Sequence, residues 1–149
     1  MTAHHCITSD GVFQRARGML NISAVHDVNN QSRLKDLRQQ GSYRAIFPRP
    51  PLGTMEAVII NTAGGITGGD EFATQITAND HTKISVTTQA AERIYRSPDF
   101  TLASMQTRLC AKPSAQLYWL PQETTLVAAS PLYRRFAAED AENSQCSLA

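Results

Sequence analysis

The chain has 149 residues, 42% of them hydrophobic and 18% charged, and 14 Lys and Arg against 13 Asp and Glu leave a net charge of +1. That length suits one domain able to bury its own core, and the scattered arginines make no concentrated basic face for nucleic acid. No run of 18 apolar residues exists to cross a membrane, and the first residues lack the basic start and apolar stretch of a signal peptide, so a cytoplasmic protein is expected.

In chain order, residues 1–11 read as a flexible leader. Its His4-His5-Cys6 offers a soft metal three donors without a fourth, a weak set at a mobile terminus. From Val12 to about Asp36, Ile22, Ala24, Leu34 and Leu37 suggest two short strands around a polar turn at Asn29-Asn30-Gln31-Ser32, and Leu34–Gln40 carries a faint helical period. Tyr43–Phe47 alternates and stops at a loop with three prolines (Pro48, Pro50, Pro51), which cannot donate to a ladder. Glu56–Asn61 is apolar and rich in β-branched residues, the mark of a buried strand.

After it comes Asn-Thr-Ala-Gly-Gly-Ile-Thr-Gly-Gly-Asp at 61–70, which holds half of the eight glycines (Gly64, Gly65, Gly68 and Gly69). Glycine loses more entropy on ordering than any other residue, so four together imply a loop whose geometry matters. A phosphate-binding P-loop needs Gly-Lys-Ser/Thr, and here Gly69 is followed by Asp70. The dinucleotide fingerprint needs a different glycine spacing and then a helix, whereas Glu71–Thr77 alternates like a strand. Asp70 either caps its own turn or lines a polar or metal path.

Further along, Asn79-Asp80-His81 is a turn, Thr82–Thr88 a strand with Ile84 and Val86 on one face, and residues 101–111 a strand placing Ala103, Met105, Leu109 and Ala111 together. Lys112–Ala115 turns, Gln116–Leu120 and Thr124–Val127 are strands, and the alanine-rich acidic stretch Ala137–Glu142 suggests a helical turn. Strand runs separated by turn chemistry indicate an all-β protein of stacked sheets. The three cysteines (Cys6, Cys110, Cys146) lie far apart with no Cys-x-x-Cys, so neither a disulfide framework nor a zinc site is expected. Histidines at 4, 5, 26 and 81 show no ligand spacing, and neither a Gly-x-Ser-x-Gly nor a His-Glu-x-x-His is present.

Three blocks in register carry a family resemblance: the strand and loop at 56–70, Thr-Thr-Gln-Ala-Ala-Glu-Arg-Ile-Tyr-Arg-Ser at 87–97, and Leu-Tyr-Trp-Leu-Pro-Gln-Glu-Thr at 117–124. Together with 37–50, they resemble the urease accessory proteins UreD (UreH in some systems), over residues 12–136. The resemblance implies an all-β, non-enzymatic scaffold that works with UreF, UreG and the urease apoprotein in nickel insertion. No tightly bound cofactor is expected, and nickel would be transient cargo. On this reading 12–136 is the N-terminal part of a longer β domain, incomplete here, and 137–149 is an atypical, disordered tail. Nickel accepts imidazole and carboxylate, so Asp70, Glu123 and His81 are candidates for its path. Glu92, Arg93, Tyr95 and Arg96 are candidates for a partner interface, where Tyr and Arg are favoured. Two other readings stay open: a β-rich nucleotide-binding or enzymatic domain that uses the glycine loop, and a truncated fragment without function.

Overall fold

The computed structural model describes residues 14–49 and 53–149, so the leader with His4-His5-Cys6 and the centre of the proline loop lie outside the described residues. Twelve strands follow in order: β1 (Arg17–His26), β2 (Ser32–Gly41), β3 (Tyr43–Ile46), β4 (Met55–Asn61), β5 (Glu71–Ala78), β6 (Lys83–Thr88), β7 (Glu92–Ile94), β8 (Ala103–Ala111), β9 (Gln116–Leu120), β10 (Thr124–Leu126), β11 (Leu132–Asp140) and β12 (Gln145–Leu148). The protein is all-β. No helix among the described residues is long and apolar enough to cross a membrane.

One sheet runs β11-β8-β5-β1-β2, the other β12-β9-β6-β4-β3, and β10 pairs with β7 in a short third ribbon. Apart from the antiparallel pairs β1–β2 and β3–β4, every pairing is parallel. The chain therefore coils, visiting the first sheet, the second and the ribbon, then returning to lay the next strand beside the last. Equivalent positions stack along the axis. Ile22, Ile76 and Leu109 form one ladder, Ala24, Ala78 and Ala111 another, and in the second sheet Ala57, Val86 and Trp119 a third.

These ladders are the core, since all nine side chains are buried. The cause is sequence alternation: Glu71-Phe-Ala-Thr-Gln-Ile-Thr-Ala turns Phe72, Thr74, Ile76 and Ala78 inward and leaves Glu71, Ala73 and Gln75 in water. A fully buried aliphatic side chain contributes about 1.5–3 kcal/mol of transfer free energy, so a handful of such rows holds the sheets together.

Two expectations need correction. Leu34–Gln40 is not helical. It lies in β2, a ten-residue edge strand hydrogen-bonded to β1 and exposed on both faces after Ser32, which is why it lacks clean alternation. The tail after residue 136 is ordered strand, with the expected boundary falling inside β11 and no helical turn over 137–142. Leu132–Asp140 pairs in parallel with Ala103–Ala111, and Gln145–Leu148 with Gln116–Trp119, so ladder pairing overrides the helical preference of the alanines.

Candidate functional site

The glycine loop occupies the corner where β4 leaves the second sheet and β5 enters the first. Ile66 is fully buried and bridges to Ile94 of β7: its amide donates to the Arg93 carbonyl at 2.8 Å, and its carbonyl accepts from the Tyr95 amide at 2.7 Å. Gly68 lies so close to the next turn that a Cβ there would stand 2.2 Å from both Ser97 Oγ and the Thr101 carbonyl. Asp70 closes the corner. It is 3% exposed, its Oδ1 accepting from the Ala16 amide at 2.8 Å and its Oδ2 from the Thr67 amide at 2.9 Å. Both carboxylate oxygens thus serve backbone donors, which is the turn-capping arrangement and leaves little room for an ion.

The same geometry bears on a phosphate cradle. The amides of Ile66, Thr67, Gly69 and Asp70 all donate within the protein, to Arg93 O, Asp70 Oδ2, Leu102 O and Thr67 O. A nest that binds phosphate needs amides turned outward. These face inward.

Beside the loop a cavity of about 330 Å³ opens between the sheets. Tyr43, Thr74, Met105, Thr107 and Trp119 line it, with Glu92 the one acidic side chain among the described lining residues beside Arg93 and Arg134. Asn61, the last residue of β4, aims its amide Nδ2 at Glu92 Oε1 across 3.0 Å. Burial raises the Glu92 carboxyl above its ordinary value, and the Asn61 hydrogen bond partly opposes this. The Tyr43 phenol is pushed above its usual range, chiefly by burial and then by the Glu92 charge, with a hydrogen bond to Thr74 working the other way. A neutral phenol and a half-buried carboxyl therefore face one polar chamber. That arrangement suits a transient guest, and the chamber contains no paired nucleophile and base.

The residues expected from sequence are dispersed. Asp70 precedes β5 and His81 follows it, so the eight-residue strand keeps them about 25 Å apart. Glu123 is exposed between Gln122 and Thr124, which line the cavity, and its carbonyl accepts from the Glu92 amide at 2.9 Å. Among the described residues no group of three or more His, Cys, Asp and Glu is placed to hold a metal. Glu92 sits in β7 with Ile94 buried, while Arg93, Tyr95 and Arg96 point to solvent and form one surface beside the loop. Nearby, Asp99 accepts from Ser97 Oγ at 2.6 Å and Thr101 Oγ1 at 2.7 Å and pairs with Arg15 at 2.6 Å, and the Ser97 hydroxyl above all holds its carboxyl well below the usual range.

Sequence reasoning missed Tyr43, Asn61 and His26. The first two read as ordinary strand residues, and only the coil closing over them makes them a chamber. His26 is 55 residues from His81 in the chain, yet their rings stand 6.2 Å apart. Only the parallel register of β1 and β5, which sets Ala24 beside Ala78, brings them together.

Comparison with known proteins gives one consistent answer. The family model described as "UreD urease accessory protein" matches residues 15–149. A relative from Ruegeria sp. (strain TM1040), named urease accessory protein UreD, is 40% identical over 144 residues, covering 95% of this chain and 48% of the relative. Similarly named proteins from Agrobacterium fabrum and Rhodopseudomonas palustris are 41% and 38% identical, covering 89% and 96% of this chain and 46% and 50% of their own lengths. The chain spans about half the length of the curated relatives it matches. With a match running from Arg15 to the final residue, the chain belongs to the UreD family of urease accessory proteins.

Proposed function

We propose that this chain acts as a non-catalytic scaffold in urease maturation, presenting its coiled sheets to UreF, UreG and the urease apoprotein in the cytoplasm while nickel passes as weakly held cargo. The observation that carries this reading is the family match across 15–149, which includes the corner built by the glycine loop. Two features support a scaffold over an enzyme or nucleotide binder: the amides of Ile66, Thr67, Gly69 and Asp70 are spent internally, and the described lining of the neighbouring chamber sets the Glu92 carboxyl beside the phenols of Tyr43 and Tyr95 and the guanidinium groups of Arg93 and Arg134 without a paired nucleophile and base. Glu92 is the acidic donor best placed to meet a passing cation. Asp70 belongs to the loop's own hydrogen bonding. Exposed Arg93, Tyr95 and Arg96 give the adjoining surface the composition of an interface centre.

The experiment is disruption of the reading frame in its host. Urease apoprotein should accumulate with little nickel and little activity, and re-expression of the frame should restore both. Full nickel loading in the disrupted strain would overturn the reading. Nickel loading that fails only when UreF capture by tagged protein also fails would place the defect in assembly.

A further inference from the structure

At the end of the coil opposite the glycine loop, two histidines meet. His26 is the last residue of β1, half-buried, and His81 stands exposed in the β5–β6 turn with φ 61°. The turn is tied down on both sides. Asn79 Nδ2 donates to the Ala24 carbonyl at 2.7 Å and to Ser23 Oγ at 2.9 Å, and the Asn79 amide donates to the Ala24 carbonyl at 3.1 Å. On the far side the His81 amide donates to the Pro113 carbonyl at 3.1 Å. Three hydrogen bonds from Asn79 therefore tie the turn to the end of β1, and a fourth ties the His81 backbone to the β8–β9 turn. The two rings lie with their centroids 6.2 Å apart and their planes at 53°.

That separation has a chemical reading. A metal bonded to an imidazole nitrogen at about 2.0–2.1 Å stands roughly 3.2 Å from the ring centre, so two rings sharing one ion span at most about 6.4 Å. The observed 6.2 Å lies near that linear limit, while tetrahedral or cis-octahedral binding brings the ring centres to roughly 4.5–5.2 Å, so a rotation of the exposed His81 side chain must supply an approach of about 1 Å. We propose that His26 and His81 form a two-imidazole surface site for a borderline divalent cation of the Ni²⁺, Cu²⁺ and Zn²⁺ class, with water completing the coordination. Imidazole selects these ions over Mg²⁺ and Ca²⁺, which prefer oxygen. Two ligands without a third protein donor make the site exchangeable. The inference rests on ring geometry and not on the urease reading, and it concerns the end of the molecule away from Glu92.

The test uses the full chain with His4→Ala, His5→Ala and Cys6→Ser, a background in which only two of the four histidines remain. Titration with Cu²⁺, Ni²⁺ and Zn²⁺ is followed calorimetrically and, for Cu²⁺, by the nitrogen hyperfine pattern in its electron paramagnetic resonance spectrum. One equivalent is expected, tightest for Cu²⁺ in the Irving–Williams order, with two coordinated nitrogens. His26→Gln or His81→Asn should each weaken it by at least the roughly tenfold that a lost outer-shell partner costs, and Asn accepts the left-handed backbone at position 81. His26→Cys, which returns a soft donor, should recover binding and separates ligand loss from misfolding. Absence of binding, or a site whose affinity and two-nitrogen pattern survive either substitution, would overturn the proposal.

Discussion

Asp70 shows how much one buried carboxylate can organise. Its two oxygens each take a backbone amide from a different segment, Ala16 ahead of β1 and Thr67 inside the loop, so it pins the first coil to the second. Asp70→Asn keeps one acceptor and turns an NH₂ group against an amide donor. A hydrogen bond to a charged group contributes about 1.5–3 kcal/mol, and we expect a loss of about 2 kcal/mol in urea denaturation, with unchanged stability as the refuting result. Glu92 makes an opposite prediction in pH. Its folded-state pKa is raised above the ordinary 4.5, so the folded protein binds this proton more tightly than the unfolded chain does. The stability thus conferred is complete below about pH 4.5 and is lost as pH rises through the folded value. Glu92→Gln should match the parent in acid and become the more stable of the two toward neutrality. Parallel stability curves would refute the burial argument. Of these roles, the capping role of Asp70 was legible in sequence, because Asx residues after glycines commonly close turns. Glu92 was legible only as one of a charged surface set, since its burial arises from β4 and β9 folding over it.

The glycine corner is the element whose geometry most constrains sequence. Gly68 and Gly64 belong to the same loop but differ in why they are glycine. A Cβ at Gly68 meets Ser97 Oγ and the Thr101 carbonyl at 2.2 Å, whereas Gly64 has φ 76° and nothing within 4 Å of its Cβ position. Gly64→Ala should therefore cost about 1 kcal/mol, the price of a left-handed backbone. Gly68→Ala forces the turn at 97–101 outward and should cost about 3 kcal/mol or abolish soluble protein. Equal melting temperatures for the two variants would show that the corner yields more readily than its contacts imply. Strands β5, β6, β8 and β9 were legible from period-two alternation because each has one buried face. Strands β1 and β2 and the turn between them were read from Ile22, Ala24, Leu34 and Leu37, although water on both faces of β2 blurred its pattern into a faint helical period, and β11 was not read, since its inward positions Arg134, Phe136 and Asp140 are polar or exposed.

At the scale of the molecule, both sheets end on open parallel strands, β11 and β12. These edge strands carry the exposed Tyr133 (52%) and Leu148 (54%). An exposed edge with apolar neighbours templates association. The 149-residue chain expressed alone should run as soluble oligomers in size-exclusion chromatography, and a sharp monomer peak would contradict this. That the protein is all-β could be read in advance, but the parallel coiling could not, because it depends on pairing between residues 29 to 54 positions apart, such as Met55 with Ile84 and Arg17 with Glu71. The coil also has a direction. Strand β5 lies on β1, β8 on β5 and β11 on β8, so each strand leaving the ribosome finds its template already synthesised, and domains generally fold from the N-terminus as they emerge. A defect at Ile22 would deprive every later turn of its seed, while one in β11 would leave the earlier turns intact.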